Sequence, residues 1–85
     1  MMNNESVKDW IIEWFVRNAN VDIDSVKNHL NDSYFDLGYI DSFGFIALMA
    51  DIEERFGIQL ANDQFEDRSF STIQGMANIL EGLMK

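Results

Sequence analysis

Residues 35–58 read FDLGYIDSFGFIALMADIEERFGI. The stretch opens polar and glycine-bearing, turns at Asp41-Ser42, and then becomes apolar with helical spacing. Ile46, Met49, Ile52 and Phe56 recur at intervals of three and four, and Leu48 widens the stripe. This predicts a helix over about 42–56 with that face buried. Ser42 stands at its start, where a serine hydroxyl makes a good N-cap. Gly57 suits the left-handed position past its end. A helix N-terminus also favours an anion, because its first N–H groups lack partners and the dipole is positive there. Ser42 is therefore the residue best placed to hold a phosphodiester.

The flanks read as helix too. Val7, Trp10, Ile11, Trp14 and Phe15 form a buried stripe on a first helix, roughly 5–18. Ser6, or an asparagine before it, caps this helix. Residues 19–41 are polar, with scattered Val21, Ile23, Val26, Leu30, Phe35 and Leu37. They predict a long loop pinned to the core at intervals, with a short turn near Asp32 to Phe35. Loops of that length are uncommon in compact domains and often functional. A short helical turn is expected over 62–67. Residues 71–74, STIQ, fit a capping box for a last helix over about 72–84. Its inward face would be Ile73, Met76, Ala77, Leu80 and either Leu83 or Met84. Strand alternation is nowhere convincing. The expected fold is all-α: a small four-helix bundle with a long loop between its first two helices and a short third helix.

Size and charge narrow the function. Eighty-five residues, 47% of them apolar, supply one core and no deep substrate cleft, so residues 1–85 read as one domain. There is no cysteine, hence no disulfide framework and no thiolate metal site. A net charge of −9 argues against nucleic acid and anionic membranes, and favours protein partners with basic patches. No stretch is long enough to span a membrane. The first five residues, MMNNE, hold no basic n-region and no h-region follows, so a cytoplasmic protein is expected.

Residues 35–58 resemble the centre of an acyl carrier protein. That family shows a D-L-G stretch, then D-S with a hydrophobic residue, then a helix ending in E-E-x-F-G-I. The flanking elements fall where the family would have them. The resemblance implies a monomeric carrier and not an enzyme. A phosphopantetheinyl transferase would attach 4′-phosphopantetheine to Ser42, and the thiol of the arm would hold an acyl or aminoacyl group as a thioester. Asp41 would be the motif aspartate, positioning Mg²⁺ and phosphates in the transferase complex. An acyl or aminoacyl ligase would load the carrier, and an acyltransferase or synthase would unload it. Two residues, Tyr39 and Ile40, separate Gly38 from Asp41, where fatty-acid carriers have one. This longer spacing resembles D-alanyl carriers, which act in cell-envelope modification, and stand-alone carriers of specialised pathways. Gly44 and Ala47 stand where fatty-acid carriers often place acids. The strip Phe43, Ala47, Ala50, with Glu53 and Glu54 further along, is then the expected partner face.

Blander readings stand beside these. Ser42 alone is a common N-cap, and a helical protein-interaction module without a prosthetic group is the competing class. Asp22-Ile23-Asp24 hints at a calcium loop, but Lys27 and Ser33 stand where that loop needs glycine and glutamate. His29 is the one histidine, better read as a polar loop residue than as part of a Ser-His-Asp triad. Trp10, Trp14 and Phe15 read as core. Met49, Met76 and Met84 read as gap-fillers that also suit entry of an acyl chain between helices. Asp51, Glu53 and Glu54 read equally as a solvated helix face.

Overall fold

A computed structural model describes residues 6–60 and 68–84. Among them are four α-helices: α1 (Val7–Asn18), α2 (Ile23–Asn28), α3 (Ser42–Phe56) and α4 (Ile73–Leu83). A 3-10 turn, Arg68–Ser71, leads into α4. The described residues hold no strand beyond one antiparallel bridge between Ser33 and Thr72. The fold is all-α, as expected. The short helix expected at 62–67 falls outside the described residues.

The first helix begins where the hydroxyl of Ser6 accepts from the N–H of Asp9 at 3.1 Å. It buries Val7, Ile11, Trp14 and Phe15 as expected, and Ile12 as well, whereas Trp10 is half-buried. Trp10 meets Phe56 of α3 edge-on, with centroids 5.3 Å apart. The segment 19–41 is not a plain loop. It contains α2, a six-residue helix that fully buries a single side chain, Val26. One turn with one buried residue leaves no periodic trace, which is why spacing alone missed it.

The third helix carries the main corrections. Its buried residues are Leu48, Met49 and Ile52. Phe45 and Phe56 pack half-buried beside them, while Ile46 is 65% exposed. Residues 43–50 are apolar at every position but Gly44, so the period fits two adjacent faces. An aromatic cluster decides between them: Phe45 packs against Phe35 at 5.4 Å and edge-on to Phe70 at 6.3 Å. Ser42 is not the N-cap. Asp41, in extended conformation, caps the helix by accepting from the N–H of Gly44 at 2.9 Å, and Ser42 is the first helical residue. Gly57 closes the helix in the left-handed region, at φ 66°.

The last helix buries Ile73, Met76, Ala77 and Leu80 as expected, but Leu83 and Met84 are both exposed. Its cap is Thr72, which accepts from the N–H of Gly75 at 3.0 Å. The expected capping box does not form. Ser71 donates to the carbonyl of Arg68 at 2.7 Å, and Gln74 donates along the helix to Asn78 at 3.1 Å. The N–H of Gln74 donates to the carbonyl of Leu30 at 3.0 Å, so the loop satisfies a donor of the helix it crosses.

Tyr34 makes that crossing firm. It is fully buried, with its ring 5.3 Å from Phe15 and 4.9 Å from Phe35. Its hydroxyl donates to the carbonyl of Phe70 at 2.6 Å, and its N–H donates to the carbonyl of Ser71 at 3.1 Å. Burial raises its pKa well above the ordinary tyrosine value.

Two predictions follow from these contacts. Tyr34→Phe removes a buried hydrogen bond and should cost about 0.5–1.5 kcal/mol in urea unfolding at neutral pH. Above the ordinary tyrosine value near 10, the unfolded chain releases the Tyr34 proton while the folded protein keeps it. The unfolded state then binds fewer protons, so wild-type stability falls as pH rises past that point. The variant should lack that part of the fall, and equal alkaline slopes in the two proteins would contradict this account. The second prediction concerns the cap. Asp41→Ala should lower stability by about 0.5–2 kcal/mol, whereas Ser42→Ala should stay within about 0.5 kcal/mol of wild type. The reverse order in thermal melts would put the cap back on Ser42.

Candidate functional site

The approach to Ser42 is built from short hydrogen-bonded turns. The N–H of Leu37 donates to Ser33, that of Gly38 to Phe35, and that of Tyr39 back to the carbonyl of Tyr34, each at 3.0 Å. Gly38, at φ 76°, makes the reversal in the left-handed region that glycine enters without strain. The phenol of Tyr39 shares a 3.0 Å hydrogen bond with the hydroxyl of Ser25, and its ring lies 6.1 Å from Phe15. A Cβ on Gly44 would stand 3.0 Å from Cβ of Ile40. The missing side chain is what lets the loop lie against the first turn of α3.

Asp41 and Ser42 divide the work at the helix start. The carboxylate of Asp41 accepts from the N–H of Gly44, and its carbonyl accepts from that of Phe45, both at 2.9 Å. The hydroxyl of Ser42 is exposed and is not used in capping. The N–H groups of Ser42 and Phe43 find no acceptor among the described residues. An exposed hydroxyl beside two open donors at the positive end of a fifteen-residue helix suits a phosphodiester. The sequence could have shown this arrangement, because aspartate caps as well as serine and immediately precedes it.

Beside Ser42 the surface is apolar. Phe43 is 82% exposed, and Ile46, Ala47 and Ala50 are exposed with it. Ile46 belongs to this surface and not to the core. Glu54 is exposed, but Glu53 is half-buried and accepts from the N–H of Leu60 at 2.9 Å. Asp51 accepts from the indole N–H of Trp14 at 2.8 Å. Two acids of this helix therefore hold local structure.

Among the described residues, two clefts border α3. One, of about 430 Å³, is lined by Asn18, Gly38, Tyr39, Ile40, Asp41 and Gly44. The other, of about 370 Å³, is lined by Phe45, Ile46, Met49, Ala50, Glu53 and Leu60. Asn18 and Leu60 carried no sequence signal, since neither belongs to a motif or a stripe. The remaining candidates show only local contacts. Nδ1 of His29 pairs with Asp32 at 2.9 Å. Asp22 starts α2, and no group of three or more His, Cys, Asp or Glu among the described residues is placed to hold a metal. Met49 and Met76 are buried, and Met84 is exposed. No described helix is long and apolar enough to cross a membrane.

Comparison with known proteins identifies the family. Residues 9–80 match the family described as the phosphopantetheine attachment site. The D-alanyl carrier protein of Bacillus velezensis is 35% identical over 60 residues, which cover 71% of this chain and 77% of that protein. The chain belongs to the phosphopantetheine-attachment family and is a carrier whose prosthetic group is covalent 4′-phosphopantetheine.

Proposed function

We propose that Ser42 carries the 4′-phosphopantetheine arm, and that residues 1–85 act as one cytoplasmic carrier domain with no catalysis of its own. The observation that supports this most is the exposed Ser42 hydroxyl at the first position of α3, left unoccupied because Asp41 does the capping. In attachment, the Ser42 oxygen forms a bond to the β-phosphorus of coenzyme A. The phosphoanhydride bond breaks, adenosine bisphosphate leaves, and the serine proton passes to a base of the phosphopantetheinyl transferase. Ser42 and Phe43 offer their N–H groups to the phosphodiester. When bound, the arm supplies the thiol that holds cargo, a group this cysteine-free chain lacks. An acyl or aminoacyl ligase loads that thiol, and a transferase or synthase takes the cargo on.

D-Alanine is the cargo we favour. The support is the similarity to a D-alanyl carrier protein over 60 residues. Incubation with coenzyme A and a broad-specificity phosphopantetheinyl transferase should add the mass of one phosphopantetheinyl group to wild type and none to Ser42→Ala. An arm on Ser42→Ala would refute the assignment. Adding ATP, D-alanine and a D-alanine–carrier ligase should then add one alanyl group that hydroxylamine removes. A loaded carrier that refuses D-alanine but accepts a fatty acyl group from an acyl ligase would replace this cargo with the other.

The face that partners meet is the strip Phe43, Ala47, Ala50, with Glu53 and Glu54 at its far end. Full burial of a phenylalanine is worth roughly 1.5–3 kcal/mol, so contact at Phe43 rewards docking. Ala47→Glu places a charge in that contact while keeping a good helix former. It should slow ligase loading of the modified protein and leave the circular dichroism melt unchanged. Asn78→Glu, exposed on α4, serves as the control. Equal loading rates for both variants would eliminate the apolar strip and leave the Glu54 end of α3 as the docking candidate.

A further inference from the structure

We propose that in the unengaged protein the first part of the arm, from its phosphate through its first amide, rests in the cleft between the end of α1 and the Gly38–Gly44 segment. The inference rests on Ser42 being the attachment residue. Asp41, directly before Ser42, and Gly44, two residues after it, both line the cleft. The cleft's lining therefore comes within two residues of the attachment residue along the chain. Its volume, about 430 Å³, falls among small-molecule sites of roughly 300–1,000 Å³.

The chemistry of the two clefts separates them. The arm begins with a phosphate, a branched dimethyl carbon, a hydroxyl and an amide. Such a chain needs apolar and hydrogen-bonding surface side by side. The Asn18 cleft offers both: Ile40 and the ring of Tyr39 for the dimethyl carbon, and Asn18 for the amide. Asn18 is held in place, because its Nδ2 donates to the carbonyl of Trp14 at 2.9 Å. That bond leaves its Oδ1 to accept from the arm. The cleft beside Phe45, Ile46, Met49 and Leu60 is mainly apolar and suits hydrocarbon instead of an amide-bearing chain.

The walls of the Asn18 cleft are also set in advance. Tyr39 is tied through its phenol to Ser25 and through its N–H to Tyr34, both at 3.0 Å. Ile40 packs against the bare face of Gly44. Little ordering remains to be done when the arm enters, which favours binding. No lysine or arginine lines the cleft, so the hold is weak and the arm is released easily to a partner enzyme.

The test compares amide NMR spectra of the ¹⁵N-labelled protein before and after loading with coenzyme A and a phosphopantetheinyl transferase, with intact mass confirming the arm. Shifts should extend beyond Ser42 and its neighbours to Gly38, Tyr39 and the side-chain amide of Asn18. In loaded Asn18→Ala the Gly38 and Tyr39 shifts should be lost. Loaded wild type with shifts confined to residues 41–45 overturns the resting place, as do shifts centred on Met49 and Leu60 with Asn18 silent. A protein whose Ser42 takes no arm overturns the attachment reading itself, and this inference with it.

Discussion

The hydroxyl of Tyr34 donates to the carbonyl of Phe70 at 2.6 Å inside a buried aromatic cluster, and the order of the long crossing segment depends on that contact. A chain that runs from α1 to α3 must cover distance without leaving buried polar groups unpaired. Tyr34 solves this at one residue. Its ring fills the space between Phe15, Phe35 and Phe45. Its N–H reaches Ser71, and its carbonyl takes the N–H of Tyr39. Burial without that hydroxyl partner would be costly, since an unmet polar group in the interior loses its hydration for nothing. The same residue therefore joins the crossing segment to the start of α4 and fixes where the segment turns toward Asp41.

The segment that leads into α3 is positioned through that node. From Tyr34 the order passes through Tyr39 to Ile40, and from Ile40 to Gly44, where the loop touches α3. Asp41 then caps the helix with a carboxylate, which interacts favourably with the helix dipole. One consequence is that the serine beside it keeps its hydroxyl for solvent. A second is electrostatic. An acid already sits at the helix start, so a phosphodiester there relies on the N–H groups of Ser42 and Phe43 against a neighbouring negative charge. That balance favours an arm attached covalently over an anion held by affinity alone.

Most of the helical framework was legible in the sequence, because three-and-four spacing is a strong signal in helices of eleven residues or more. Ser6, Gly57 and the faces of α1 and α4 follow from local rules. The misses share a cause. α2 is too short to show a period. In α3 nearly every position from 43 to 50 is apolar, so local pattern could not tell Ile46 from Phe45; only contacts with Phe35 and Phe70 could. The caps slipped by one residue twice, at Asp41 for Ser42 and at Thr72 for Ser71, because adjacent residues were equally able to cap. The Asp41-Ser42 motif was plain in the sequence, but the cleft beside it was not. That cleft unites Asn18 with residues from Gly38 onward, and no spacing rule links the end of one helix to a distant loop.

The acids of α3 show why net charge and partner recognition need separate treatment. Asp41 caps a helix, Asp51 holds Trp14, and Glu53 holds the N–H of Leu60. These carboxylates contribute to the field of a chain with net charge −9, yet each is already committed to a structural contact. Long-range charge governs the rate of encounter, whereas close complementarity governs how long a complex lasts. Next to Ser42 the close surface is Phe43, Ile46 and Ala47, which offers shape and apolar area and few free charges. On the proposed docking strip, a partner would be drawn by the whole molecule's charge and retained by fit around an exposed phenylalanine. Raising salt should then slow its arrival more than it shortens its stay. An enzyme that forms ion pairs with this helix would meet Glu54 exposed, whereas Glu53 and Asp51 each already give one oxygen to a structural contact.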